Sequence, residues 1–230
     1  MADPNIELLT RVVQALGELR SRMTFVGGCA TALLITDPAA SPVRATQDVD
    51  AVVAVASLAE YHQLGAALRA RGFSQSIEEG EPPYRWSRAG LKLDLMPSEE
   101  TVLGFTNRWY AAVLAGAITA TVGEGIEIRL ADAPSFLATK LEAFLDRGKG
   151  DYLSSHDLED VLSVVDGRPE LVDELRAAGA DLRVFVGATF AALLADEGFL
   201  NALPGLILEG SPAVRAPIVL QRLRRIAELR

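Results

Sequence analysis

One stretch, RATQDVDAVV at residues 44–53, constrains the fold more than any other. Residues 51–56 read as a buried strand, and buried strands seldom open with a pair of acids. On a strand, residues two apart point to the same face, which brings the carboxylates of Asp48 and Asp50 together. Like charges so close repel and raise one another's pKa, a penalty that a divalent cation removes. The pair therefore marks either a metal site or a strand edge without chemical purpose.

The chain around it alternates strands and helices as far as residue 131. NIELLTRVVQALGELRSR carries Ile6, Leu9, Val12, Val13, Leu16 and Leu19 at helical spacing, and MTFVGG follows as a short strand ending in two glycines. CATALLIT reads as a helix starting at those glycines, and DPAASPVR as a loop. After DVDAVVAV, residues 58–72 read as a helix closed by Gly72. FSQSI (73–77), PYRWSR (83–88), LKLDLM (91–96) and GIEIRL (125–130) are further strand candidates. Beyond residue 131 the chain reads almost entirely as helices, in DAPSFLATKLEAFLDRG, SSHDLEDVLSVVDG, RPELVDELRAAG, DLRVFVGATFAALLADEG and a final SPAVRAPIVLQRLRRIAELR. The expected fold is α+β: a mixed sheet with flanking helices over residues 1–131, then a helical C-terminal half over 132–230.

Composition narrows the function classes. The 230 residues suffice for one large domain or two small ones. A formal charge of −9 argues against broad, non-specific nucleic-acid binding, where phosphate contacts call for a basic surface, and leaves room for a local basic groove, metal ions or cationic small molecules. A single cysteine, Cys29, excludes an intrachain disulfide and a cysteine-based zinc site, and reads as a small packing residue. The N-terminal MADPNIELLTRVV lacks the pattern of a signal peptide, and the longest weakly polar run, residues 111–123, is too short to span a bilayer as a helix. A cytoplasmic protein without membrane association is expected.

Three features converge on a site. Gly27 and Gly28 join a strand to a helix, where the backbone approaches a ligand closely and the helix start favours an anion, although a tight turn alone would look the same. It is not a Walker motif, because no Lys-Ser or Lys-Thr follows, and RGKGD at 147–151 follows a helix. Asp48 and Asp50 come second. Third, LKLDLMP places Asp94 among apolar strand residues, either as a charge on a solvated face or as a third ligand. Two or three aspartates with a nucleotide's phosphates make the usual oxygen shell of magnesium, and two such ions can clamp the attacking and leaving oxygens of a nucleotidyl transfer.

These residues resemble the polymerase-β-like nucleotidyltransferase fold: a Gly-Gly turn, Asp-x-Asp on the next long strand and a lone Asp on a later one. The fuller run, VGGCATALL, RATQDVDAVV, KLDLMP and KLEAFLDRGKGDYLSSHDLEDVL, is similar to bacterial nucleotidyltransferases of the abortive-infection (AbiE-type) toxin group, over residues 25 to 166. The resemblance implies that Asp48, Asp50 and Asp94 bind magnesium or manganese and carry catalysis, and that Gly27 and Gly28 hold the triphosphate. The family's turn often has Ser where this chain has Gly28, so one hydroxyl contact to phosphate would be missing. Arg44 and Thr46 recur in the pattern; Arg44 would orient Asp48 or touch a phosphate, or be a plain surface residue. The implied reaction moves a nucleoside monophosphate from a nucleoside triphosphate to an acceptor hydroxyl. The implied acceptor is RNA, such as the tRNA 3′ end, with a cognate antitoxin protein as partner. The acidic charge pulls instead towards an aminoglycoside-type small molecule, and a nucleotide- or partner-binding module without turnover stays open.

In FLATKLEAFLDR, Phe136, Leu137, Leu141 and Phe144 form an apolar stripe that includes Lys140, which must snorkel out or meet a negative partner. Arg147 lies on the same face. The resemblance makes Lys140 a nucleotide-binding candidate; otherwise it is a solvated helix edge. Asp157 fits a capping box with Ser154, while the resemblance turns acids of this helix towards the site. The arginines at 215, 222, 224, 225 and 230 read as an RNA-contacting arm or as the solvated face of an amphipathic helix.

Overall fold

A computed structural model of the chain describes residues 3–75, 81–147, 151–207 and 212–230. The chain forms two units. The first comprises Met1–Ala32 and Ala45–Asp132, the second Leu33–Arg44 and Ala133–Arg230. Residues 33–44, which follow the glycine turn in sequence, thus group with the C-terminal helices.

In the first unit, the described strands make one mixed sheet. They are β1 (Met23–Val26), β2 (Val49–Val53), β3 (Ser74–Gln75), β4 (Arg85–Arg88), β5 (Leu91–Pro97), β6 (Ile118–Val122) and β7 (Ile126–Leu130), in the order β3-β4-β5-β2-β1-β7-β6. β2 runs antiparallel to β1 and parallel to β5, and β1 runs parallel to β7. This central placement explains the sequence: all four residues of β1 are buried, as are Ala51, Val52 and Val53, because a central strand has both faces covered. Residues 76–77 of the expected strand FSQSI lie outside the described residues.

Helix α1 (Pro4–Leu16) packs on β5 and β2 with Leu9, Val12, Val13 and Leu16 fully buried. Asp3 caps it, accepting from the amides of Asn5 (2.8 Å) and Ile6 (3.3 Å), and Pro4 fills the first turn. The expected helix ran on through Arg22. It stops at Leu16 because Gly17 turns the backbone to φ 55°, and Gly17–Arg22 continue as a 3-10 turn. Helices α2 (Gly27–Leu34), α3 (Leu58–Ala70), α4 (Glu100–Leu103) and α5 (Tyr110–Ala115) follow. Strand β6, unforeseen, forms because β-branched Ile118, Thr119, Thr121 and Val122 suit a strand, and its hairpin with β7 closes through Gly123 and Gly125, both at positive φ.

The second unit contains α6 (Ala133–Arg147), α7 (His156–Gly167), α8 (Leu171–Ala177), α9 (Ala180–Leu194), α10 (Glu197–Leu206) and α11 (Pro212–Ala227). Leu137, Leu141, Val161, Val164, Phe190, Phe199 and Leu223 are buried in it. Helix α10 was not expected; Asp196 starts it by accepting from the amides of Gly198 and Phe199. The cap of α7 is Ser155, not the expected Ser154, whose hydroxyl donates to Asp151 instead. Ser211, the first residue of the expected last helix, lies outside the described residues. Two arginines of α11 correct the solvated-face reading. Arg215 donates to Asp166 (2.7 Å) and Asp37 (3.0 Å), and Arg222 to the carbonyl of Val165 (2.8 Å), so both fasten α11 to α7; Arg224, Arg225 and Arg230 are exposed. No single helix among the described residues is long and apolar enough to cross a membrane.

Candidate functional site

The sheet register brings Asp50 and Asp94 of the first unit to one level. Val26 of β1 pairs with Asp50 of β2, Asp50 with Asp94 of β5, and Asp94 with Arg85 of β4. Because β2 and β5 are parallel neighbours, Asp50 and Asp94 stand side by side. Asp48 lies just before β2, outside the strand in which alternation was expected to pair it with Asp50.

Gly27 is the point of closest backbone approach. It sits at φ 74°, and a Cβ built there would fall 1.9 Å from Oδ2 of Asp50. Only a residue without a side chain lets the Asp50 carboxylate lie against this turn. Gly28 continues into α2, as expected. Cys29, next in that helix, is buried, and its thiol donates to the backbone carbonyl of Asp48 at 3.3 Å. The segment before β2 is pinned from the other side. The buried Asn5 of α1 accepts from the Thr46 amide at 2.9 Å, and the Thr46 hydroxyl donates to Oδ1 of Asp48 at 3.0 Å.

Asp94 is only 5% exposed, so its solvated-face reading does not hold. A buried carboxylate requires a positive or hydrogen-bonding partner. Arg85 is that partner: Nε donates to Oδ1 at 2.8 Å and Nη2 to Oδ2 at 2.7 Å, while Nη2 also reaches Oδ2 of Asp48 at 3.0 Å. One guanidinium thus joins two of the three acids. The hydrogen bonds it donates to Asp94 raise the Arg85 pKa above its ordinary value despite burial, which opposes them. Sequence reading passed over Arg85 and Asn5.

A second cluster lies within the helical unit. The ammonium of Lys140 meets Asp160 at 2.7 Å and Asp157 at 3.1 Å, and Arg147 meets the other oxygen of Asp157 at 2.7 Å. Lys140 therefore meets negative partners rather than solvent. Burial pushes the Asp157 carboxyl up, but Lys140 and Arg147 outweigh it and hold its pKa below the usual value. Arg44 pairs with Glu159 of α7 at 3.3 Å, and His156 bonds Glu159 at 2.9 Å. The Asp48 carboxylate takes its contacts from Thr46 and Arg85.

The first cluster suits a hard divalent cation by chemistry. Its donors are all carboxylate oxygens, and buried Asp94 demands positive charge. In this arrangement Arg85 provides that charge. Among the described residues no three acids, histidines or cysteines converge as a ready ligand set.

No model of a known protein family matches the chain, and no curated protein does. Among solved structures, the chain is similar to the antibiotic-resistance factor ANT(2'')-Ia, at 16% identity over 85% of this chain and 96% of that one, with a TM-score of 0.47. It is also similar to JHP933 from Helicobacter pylori, at 14% identity over 96% of this chain and 92% of that one, TM-score 0.46. A candidate nucleotidyltransferase from H. pylori aligns at 13% identity over 97% of this chain and 93% of that one, TM-score 0.47. Likeness at this level carries no argument about fold or activity, and both rest on the chain's own residues.

Proposed function

We propose that this chain is a divalent-metal-dependent nucleotidyltransferase that moves a nucleoside monophosphate from a nucleoside triphosphate to an acceptor hydroxyl. The observation that carries the reading is the register of Asp50 against Asp94 on adjacent parallel strands, with Asp48 beside them and a glycine turn against the Asp50 carboxylate. Structural ion pairs do not require three acids at one end of a sheet next to a turn that excludes every side chain.

In this reading Asp48, Asp50 and Asp94 hold magnesium or manganese, which when bound neutralises phosphate charge and activates the attacking oxygen. The backbone amides of Gly27 and Gly28, at the start of the eight-residue helix α2, receive phosphate oxygens. Asp94 accepts the proton of the acceptor hydroxyl as that oxygen bonds to the α-phosphorus and pyrophosphate leaves. Thr46 holds the Asp48 carboxylate in place. Lys140, Arg44 and Asp157 are assigned to nucleotide binding through the sequence resemblance, with Asp157 orienting Lys140. Most of the rate comes from positioning and charge neutralisation.

The resemblance favours an RNA acceptor such as the tRNA 3′ end, a toxin's activity countered by a cognate antitoxin in the cytoplasm. The charge of −9 favours a cationic small molecule of the aminoglycoside type as the alternative, and a binding module without turnover is a third reading. The test is transfer of α-labelled nucleotide from each of the four triphosphates, with magnesium, to total RNA, cell protein or aminoglycosides. Label in one acceptor pool, lost by about a thousandfold in Asp48→Asn, is the expected result. Full activity in that variant would overturn the assignment, and nucleotide binding without transfer to any pool would favour the binding module.

A further inference from the structure

We infer that Arg85 and a divalent cation compete for the same carboxylates, so that the guanidinium closes the metal site until the ion displaces it. This inference rests on the proposed metal-dependent function and adds a residue to it. Nε and Nη2 of Arg85 take both oxygens of Asp94, at 2.8 and 2.7 Å, and Nη2 reaches Asp48 at 3.0 Å.

Magnesium binds carboxylate oxygen at roughly 2.0–2.1 Å. An ion at that distance from an Asp94 oxygen would stand against a guanidinium nitrogen that holds the same oxygen, and the two positive charges repel beside a carboxylate that is itself buried. Arg85 already occupies one lone-pair site on each Asp94 oxygen, so arginine and metal compete for the same carboxylate charge. The arginine also does what the metal would do for the protein: it neutralises a buried carboxylate and draws a second acid to it. Without the ion, Asp50 and Asp94 at one sheet level and Asp48 just before it would repel one another; with Arg85 bonded to Asp94 and Asp48, the site stays assembled and shut. Cation entry is thus an exchange of one positive charge for another, and the affinity of the site is set by how firmly Arg85 is held.

The exchange separates Arg85 from the three acids. Removing an acid removes a ligand and weakens metal binding, whereas removing the arginine's charge removes a competitor and strengthens it. A merely structural arginine would give the opposite result, because its loss would let the acids drift apart.

The test is manganese binding to the full chain, followed by electron paramagnetic resonance and calorimetry, for wild type, Arg85→Gln, Arg85→Lys and Arg85→Gln with Asp94→Asn. Arg85→Gln is expected to bind manganese at least about tenfold more tightly than wild type, with Arg85→Lys between them, and the gain is expected to vanish in the double variant. Equal or weaker binding by a folded Arg85→Gln overturns the competition while leaving the metal site standing. Binding by none of the proteins at millimolar manganese overturns the metal-dependent function itself. Wild type gives a second readout independent of variant folding, the exchange of the Arg85 Nε proton seen by nuclear magnetic resonance. That proton is expected to be protected without metal and to be released at saturating magnesium; protection unchanged by bound magnesium would overturn the inference.

Discussion

The carboxylate of Asp50 occupies the space that a side chain on residue 27 would need: a Cβ on Gly27 would lie 1.9 Å from Oδ2 and 2.6 Å from Cγ of Asp50. Strand β2 thus places its acid in a hollow that the end of β1 leaves only by having glycine there. The φ of 74° adds a second requirement for the same residue. Gly27→Ala is expected to cost about 1–3 kcal/mol in stability from backbone strain and the clash together. It is also expected to weaken metal-supported nucleotide binding by about tenfold or more, because Asp50 must move. Urea unfolding and nucleotide titration check both, and an alanine variant with unchanged binding would remove Gly27 from the site.

Asn5 ties a helix to the segment that carries Asp48. Its side chain is buried and accepts from the amide of Thr46 at 2.9 Å. Asn5→Ala leaves that half-buried amide without this acceptor, at an expected cost of about 1 kcal/mol. Because Thr46 also orients Asp48, transfer activity is expected to fall further than the loss of folded protein explains. Denaturant melts beside transfer rates at a temperature where both proteins are folded separate the two effects.

In the helical unit, Lys140 balances two acids, one of which, Asp160, is 1% exposed. Lys140→Met keeps the shape of the stem and strands the charge of Asp160, so a loss of about 3–5 kcal/mol is expected in denaturant unfolding. Arg147 is 70% exposed in its side chain, and Arg147→Gln is expected to cost less than about 1 kcal/mol. The pH dependence follows from Asp157. Its folded pKa lies below the ordinary aspartate value of 3.8, so its stabilising effect is complete above that pH and is lost as pH falls through the lower folded value. The stability gap between wild type and Asp157→Asn is therefore expected to stay constant from pH 7 to about 5 and to close below about 3.8. A gap that closes near neutrality would contradict this.

Much of this arrangement is legible from residues alone, and what is missed has physical reasons. Apolar continuity marks β1 and β2 as buried strands, while β5 reads as an alternating strand with Lys92 and Asp94 on one face. Asp94 is visible as an acid in an apolar strand, but its burial depends on the partner it meets. Arg85 is hidden because arginines on strands are commonplace, and only pairing between strands gives this one a meaning. Yet the signal is present. Ala89-Gly90 makes a two-residue hairpin turn, which fixes Arg88 opposite Leu91 and, counting outward, Arg85 opposite Asp94. Asn5 had no such signal, since its partner lies 41 residues on and nothing local connects them. The C-terminal arginines misled for a related reason: Arg215 and Arg222 look solvated on α11 alone, and become half-buried only where α7 and Asp37 present acceptors.

The same hairpin yields a prediction that separates stability from site chemistry. Ala89 at φ 48° and Gly90 at φ 81° form the turn, and positive φ at both central residues is the geometry that suits the twist of paired strands. Alanine is strained there by roughly 1 kcal/mol, while glycine adopts the conformation freely at some cost in unfolded-chain entropy. Ala89→Gly is therefore expected to stabilise the protein by a few tenths to about 1 kcal/mol, raising the melting temperature by about 1–4 °C. Its register is unchanged, so Arg85 still faces Asp94 and manganese affinity is expected to match wild type. One glycine inserted between Ala89 and Gly90 acts differently. If β4 shifts by one residue to absorb it, Trp86 loses its buried face and Arg85 its place on Asp94, because a one-residue slip turns every side chain of a strand over. That variant is expected to be destabilised by several kcal/mol. Thermal melts and manganese titrations of the two turn variants show whether the Ala89-Gly90 turn sets the Arg85–Asp94 pairing; wild-type manganese affinity in a folded insertion variant would show that it does not.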